Sequence, residues 1–295
     1  MVSTQSAASD CGPRVVVIGN HKGGSGKSTV AMHLIVALLK SGKRVASFDL
    51  DVQQRTLTHY IEYRQAWARR NGLALELPHH ACAADAGWDD PSRRQADNVR
   101  LFIRSLEKLQ ADFDFIVIDT PGSDDRLSRI AHGMADTLVT PINDSFVDLD
   151  LIITVGASAG PQPTLSHYAE AVWAALDGRR AIGGRPTDWI VFRNRLLPLA
   201  SRNNRQIGNL LRLVAPKVGF RTAPGLSERV VFREFFPVGL TAFDQLSTEI
   251  LGVTPTMSHL MARVEVRELI EAIGLLPPAP ERSVAPDRSS LEVTV

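Results

Sequence analysis

Two cysteines among 295 residues, Cys11 and Cys82, leave nothing from which to build a disulfide framework and suggest a reducing compartment. His79 and His80 stand close to Cys82, but no fourth ligand accompanies them, so a metal centre is not expected there. Long apolar runs are missing as well: none reaches the ~18 residues that a membrane-spanning helix requires. Residues 1–10 have neither a basic region nor an apolar core, so no secretory signal is expected in them. Residues 276–295 carry cancelling charges and several prolines, which argues against a basic amphipathic helix and for a disordered tail. A strong net charge is absent too, at +1, but that figure hides an uneven distribution. Between Arg193 and Arg233 nine basic residues meet a single acidic one, Glu228, so this segment carries +8 and the remainder −7. That asymmetry points to an anionic partner.

What is present begins with an ordinary composition, 44% hydrophobic and 22% charged, in a length that fits one large domain or two small ones. The most specific segment is Gly19 to Thr29, GNHKGGSGKST. Gly23, Gly24 and Gly26 let a backbone turn tightly and aim its N–H groups, with that of Ser25 between them, at phosphate oxygens. The loop opens a helix, whose unpaired N–H groups and positive dipole end add to the attraction. Lys27 is placed to reach the β- and γ-phosphates, and the Ser28 hydroxyl, followed by Thr29, to ligate magnesium. The flanks agree: Arg14 to Gly19 is a short apolar run ending in glycine, and Val30 to Leu39 is apolar nearly all round. One departure stands out. The plain motif places glycine six positions before its lysine; here that place holds His21, and a second lysine, Lys22, follows it.

Such a loop needs a carboxylate at the end of a neighbouring strand to hold hydrated magnesium. Asp119 supplies it, at the end of the apolar run Phe113 to Asp119, and the turn Thr120, Pro121, Gly122 follows as a segment able to respond to the γ-phosphate. Further strands are expected at Arg44–Leu50, Asp136–Ile142 and Asp188–Phe192. Helices are expected after Val52, over Ser92–Gln110, over Ser201–Val218 and over Thr254–Gly274. Residues 72–91 read as an irregular excursion. The alternation predicts an α/β fold, a doubly wound, mostly parallel sheet with helices on both faces. It occupies about residues 14–275, between tails at 1–13 and 276–295.

The two-lysine loop resembles the deviant Walker A motif of the ParA/MinD family of P-loop ATPases. More particular stretches resemble the MipZ branch of that family, which places the cell-division site: Ala131–Asp136, Pro141–Asp148, Asp188–Arg195 and Val218–Arg221. The resemblance runs from about 14 to 274. It implies an ATP- and Mg²⁺-dependent ATPase that works as a homodimer sandwiching its nucleotides. Lys22 would reach across to the partner's ATP, and Asp51 would position or activate the attacking water. Asp49 would lie nearer the magnesium, and Asn194 would face the adenine. It also implies a cycle in a cytoplasmic, nucleoid-associated protein graded from the cell poles. The monomer binds ParB, and the ATP dimer binds double-stranded DNA without sequence preference and inhibits polymerisation of the tubulin-like protein FtsZ. A ParA-type segregation ATPase is the alternative. The tail at 276–295 lacks the basic amphipathic helix of a membrane-bound MinD, so no membrane partner is expected.

The basic segment agrees with the DNA step independently. Arg202, Arg205 and Arg212 fall at near-helical repeats on one expected helix, with Arg221 and Arg233 beyond it, and arginine suits phosphate contact.

Overall fold

Val16 and Val17 are neighbours on the first strand, β1 (Arg14–Ile18), yet they belong to opposite hydrophobic cores. That is the period-two alternation of a strand buried on both faces. The computed structural model describes residues 12–90, 93–109, 111–154, 164–197 and 202–276. The expected tails at 1–13 and 276–295 therefore fall almost wholly outside the described residues.

After β1 the chain enters α1 (Lys27–Lys40) and then β2 (Val45–Asp49), α2 (Thr56–Asn71), β3 (His79–Cys82) and the single turn α3 (Ala83–Ala86). Next come α4 (Gln95–Lys108), β4 (Phe115–Asp119), α5 (Arg126–Met134), β5 (Thr137–Asn143) and the short α6 (Phe146–Leu149). A small antiparallel pair, β6 (Ile153–Thr154) and β7 (Thr164–Leu165), leads into α7 (His167–Ala181). The last third holds β8 (Asp188–Asn194), α8 (Arg202–Val218), β9 (Arg221–Ala223), α9 (Val231–Phe235), α10 (Thr248–Leu251) and α11 (Met257–Ile273). Seven strands form one sheet in the order β3-β2-β4-β1-β5-β8-β9, and every pairing in it is parallel. Helices α1, α2 and α11 pack on one face, and α4, α5, α7 and α8 on the other. Among the described residues, no helix is long and apolar enough to cross a membrane.

Two boundaries differ from the sequence reading for physical reasons. The stretch 72–91, expected to be irregular, contains strand β3, whose residues pair with β2 from Ala46↔His79 to Asp49↔Cys82. His-His-Ala-Cys has no apolar rhythm of its own; β2 supplies the ladder, and Cys82 is buried against it. Trp88 then closes the same core, its ring 5.0 Å from Phe48 and 5.2 Å from Phe102. Helix α2, expected to begin after Val52, starts at Thr56 instead because Arg55 takes a left-handed backbone (φ 48°) and breaks the helical path.

One internal bond ties the first third of the chain to the last. Arg64 on α2 and Asp244, both fully buried, form a two-pronged ion pair with N–O distances of 2.8 Å. The guanidinium also donates to the Gly239 and Glu76 carbonyls, at 3.1 and 2.8 Å. Gly239 (φ 65°) lies so close to the Arg64 backbone that any Cβ there would overlap it.

Candidate active site

The glycine-rich loop begins where β1 ends, at the centre of the sheet, and closes at Lys27, the first residue of α1. Gly24 (φ 72°) and Gly26 (φ 91°) hold the left-handed conformations that a tight phosphate-binding turn requires. Bonds to β5, α7 and β8 brace it. Asn20 receives the Lys22 N–H at 2.7 Å and donates its amide to the Pro141 carbonyl on β5. The Tyr168 hydroxyl donates to the Gly19 carbonyl at 2.9 Å. Asn194, at the end of β8, donates to the Ser25 carbonyl at 2.8 Å and fills the space beneath Gly26. Asn194 was expected to face adenine. Its amide is instead engaged under the loop, and its neighbour Arg195 lines the cleft.

That cleft has a volume of about 1010 Å³, and Gly23 to Thr29, Asp51 and Thr120 to Ser123 line it. Lys27 folds over the loop, its ammonium 3.0 Å from the Lys22 carbonyl. Burial lowers its pKa, while the negative charges of Asp119 and Asp51 oppose that shift. Asp119 is fully buried. Burial and the charge of Asp49 push its pKa well above the usual carboxylate range, against the Ser28 hydrogen bond and the Lys27 charge. Its Oδ1 has no hydrogen-bond partner. A buried carboxylate oxygen with no donor, on a side chain that already meets Ser28, fits a site where Ser28 and Asp119 would hold a divalent cation.

Asp49 behaves differently from expectation. It lies opposite Asp119 in the β2–β4 register, but both its oxygens are occupied. Oδ1 accepts the Asp51 N–H at 3.0 Å, and Oδ2 accepts the Thr58 N–H and hydroxyl at 2.9 Å each. The residue is a brace joining β2 to α2 rather than a carboxylate directed at magnesium. Asp51, half-buried on the cleft wall, accepts the N–H groups of Gln53 and Gln54 at 3.2 and 2.9 Å, which fixes the turn that presents it.

Across the cleft, Thr120 is pinned to the Ile18 carbonyl through its N–H and its hydroxyl, at 3.2 and 3.0 Å. Gly122 presses directly on the backbone of Gly23. Lys22 extends from the loop to Asp148 on α6, with 2.7 Å between Nζ and Oδ1. Asp148 is buried and accepts the Ser145 hydroxyl at 2.6 Å. His21, which stands in place of the usual glycine, packs edge-on against Tyr168 and lies 3.5 Å from Asp124. The sequence reading missed Asp148 as Lys22's partner, since nothing in the spacing of two residues so far apart announces the pair.

The basic segment is less free than its linear charge suggests. Arg193 pairs with Asp144, Arg221 with Asp188, Arg229 with Glu265 and Arg233 with Glu228. Arg221 also donates to the Ala272 carbonyl, so it fastens β8 to the end of α11 and is not a free phosphate donor. Arg233 keeps an exposed side chain. Arg205 and Arg212 are exposed on α8, and Arg212 bonds Asn209 at 2.7 Å. The side chain of Arg202 lies outside the described residues.

Known proteins resemble this chain in sequence and in fold. The family model described as ATPase MipZ matches residues 14–277. The chromosome partitioning protein ParA of Caulobacter vibrioides is 25% identical over 261 residues, which cover 81% of this chain and 94% of that protein. The septum site-determining protein MinD of Helicobacter pylori is 29% identical over 158 residues, 48% of this chain and 58% of its own. Among solved structures, a Cyanothece McdA variant in complex with ATP aligns with a TM-score of 0.60 at 16% identity, covering 91% of this chain and 99% of that one. The Aquifex aeolicus MinC:MinD complex aligns at 0.51 and 14% identity, covering 90% and 98%. At these identities the structural likenesses establish the fold.

Proposed function

The chain belongs to the MipZ family of ParA/MinD-type P-loop ATPases, and from that membership we propose that it is a dimerising ATP switch that positions the cell-division site. ATP enters the cleft with its phosphates on the Gly23–Thr29 backbone and Lys27. Ser28 and Asp119 would hold Mg²⁺, which would supply charge neutralisation at the β- and γ-phosphates. Asp51 orients the attacking water from the opposite wall and takes up its proton. Lys22 serves the partner's nucleotide, so the 2.7 Å contact with Asp148 parks this lysine in the monomer and must open when the dimer closes. Thr120, Pro121 and Gly122 carry the state of the γ-phosphate outward, because Gly122 rests on the loop itself.

The observation that carries this reading is Lys22: a second lysine at the mouth of the loop, extended and held by a carboxylate outside it. In the proposed cycle the monomer binds ParB. The ATP dimer binds DNA without sequence preference through Arg202, Arg205 and Arg212 of α8 and through Arg233, and inhibits FtsZ. Slow hydrolysis resets the cycle in a cytoplasmic, nucleoid-associated protein graded from the cell poles. The similarity to ParA over most of both chains keeps a segregation ATPase as the second reading. Sedimentation of FtsZ polymers with GTP separates the two. Asp51→Ala protein that dimerises with ATP should reduce or shorten the polymers only when ATP is present. No effect from such a dimer would favour segregation.

A further inference from the structure

In the sheet, β2 and β4 separate the edge strand β3 from β1 and the glycine-rich loop that follows it, yet a line of hydrogen bonds runs from β3 to the cleft wall. His80 lies opposite Ser47 in the β2–β3 register, with Nδ1 2.9 Å from the Ser47 hydroxyl. Its Nε2 is 3.0 Å from the Thr58 hydroxyl in the first turn of α2. Thr58 gives both its N–H and its hydroxyl to Asp49 Oδ2, and Asp49 Oδ1 holds the Asp51 N–H. We infer that His80 is a positioning residue for ATP hydrolysis, acting through Thr58 and Asp49 to fix the turn that carries Asp51.

The proton count orders the chain in one direction. A threonine hydroxyl has one proton, and Thr58 gives it to Asp49, so toward His80 its oxygen accepts. Nε2 therefore carries the ring's hydrogen, and Nδ1 is the bare nitrogen that receives the Ser47 hydroxyl. An imidazolium would instead donate to both hydroxyls, so the acceptor role of Nδ1 is that of the neutral ring. Burial keeps the ring in that form and lowers its pKa to about 4 against the pull of Glu62 and Asp85. The need for such a partner follows from threonine itself. On a helix its hydroxyl divides between two rotamers, because it can turn back to a carbonyl of the preceding turn. A donor at 3.0 Å on the far side favours the rotamer that faces Asp49. Asp49 requires that hold, since it lies buried beside the like charge of Asp119 and its placement sets where Asp51 emerges.

This inference rests on the proposed role of Asp51, so Asp51→Ala is measured alongside. The test is single-turnover ATP hydrolysis by the full chain at saturating ATP, with the ATP concentration dependence. His80→Leu should lower the hydrolysis rate about tenfold, short of the ~10²-fold that a full ångström of misplacement can cost. The concentration dependence should stay within about twofold, because binding does not use Asp51. His80→Gln, whose side-chain nitrogen reaches as far as Nε2, should restore most of the rate. His80→Asn, which reaches Ser47 but not Thr58, should not. The Gln and Asn pair carries the test even if the leucine variant fails to fold. A His80→Leu protein as fast as wild type, equal rates for Gln and Asn, or a loss confined to ATP affinity would each overturn the inference. Asp51→Ala separates the two failures. If it is inactive while His80→Leu is active, this inference alone falls; if it turns over normally, the role of Asp51 falls first and takes the relay with it.

Discussion

Replacing Gly122 by alanine tests whether the turn after β4 and the glycine-rich loop move as one piece. An ideal Cβ at position 122 would sit 2.7 Å from the Gly23 nitrogen, 2.9 Å from its Cα and 3.0 Å from the Lys22 carbonyl carbon. All three are backbone atoms, so no side chain can swing aside. Non-bonded carbon atoms rest at about 3.5–4.0 Å, so turn and loop must separate by nearly 1 Å. Overpacking of this kind costs about 1–3 kcal/mol. If the strain falls on the nucleotide-binding conformation, ATP affinity and hydrolysis together should drop roughly 10- to 100-fold, at about 1.4 kcal/mol per decade. Titration with a fluorescent ATP analogue and single-turnover hydrolysis read the two parts. Thermal melts show how much of the strain is general instability, at about 2–4 °C per kcal/mol for a domain of this size. Gly178 on α7 is the control: a Cβ there meets nothing within 4 Å, so Gly178→Ala should leave activity unchanged and add about 0.5–1 kcal/mol of stability. A Gly122→Ala protein within twofold of wild type in both binding and hydrolysis would refute the coupling.

Other sites give sharper or broader tests. Asp244→Asn removes the buried counter-charge of Arg64 and leaves it only the more exposed Glu76 carboxylate at 3.5 Å, so it should cost up to about 3–5 kcal/mol in denaturant melts. Burial raises the pKa of Asp244, but the bonds and charge of Arg64 outweigh it, so the folded value lies below the ordinary one. The pair therefore stabilises fully above the unfolded carboxylate value of about 3.9 and loses its effect as pH falls through the lower folded value. Wild type should weaken steeply there and Asp244→Asn should not; identical acid limbs would reject the assignment. Asp148→Asn removes the charge that holds Lys22, whose side chain is partly exposed. The midpoint of ATP-dependent dimerisation, followed by ultracentrifugation, should move to lower protein concentration, by no more than about fivefold for a solvent-screened pair. An unmoved midpoint means the pair restrains nothing. Arg202→Ala with Arg205→Ala should weaken DNA retention by the ATP dimer without affecting dimerisation. Its salt dependence should flatten by about one unit for each phosphate the protein no longer neutralises. Unchanged retention would move the DNA surface away from α8.

How far such features can be read in advance depends on the length of chain that closes them. Strands β1 and β4 show in the sequence because central parallel strands are apolar on both faces, and five of five residues of β4 are buried. The Gly23–Thr29 loop and Asp119 show because their chemistry is set within a few residues of chain. Strand β3 does not show, since His79 to Cys82 becomes a strand only by pairing with β2 and giving His80 to Ser47 and Thr58. Counting charge along the segment from Arg193 to Arg233 overstates its field, because Asp144, Asp188 and Glu265, all outside that segment of chain, pair with its arginines.

The loop itself carries the same lesson into function. Its backbone conformation is legible from three glycines, but its position is determined by Asn20 on the Pro141 carbonyl, Asn194 on the Ser25 carbonyl, Gly122 on Gly23 and Asp148 on Lys22. These braces join β5, β8, the turn after β4 and α6 to one short loop. A phosphate that moves the loop must therefore load all of them together, Gly122 and Asp148 included. In the proposed dimer, the Lys22–Asp148 contact is the brace that must open for Lys22 to reach the partner's nucleotide.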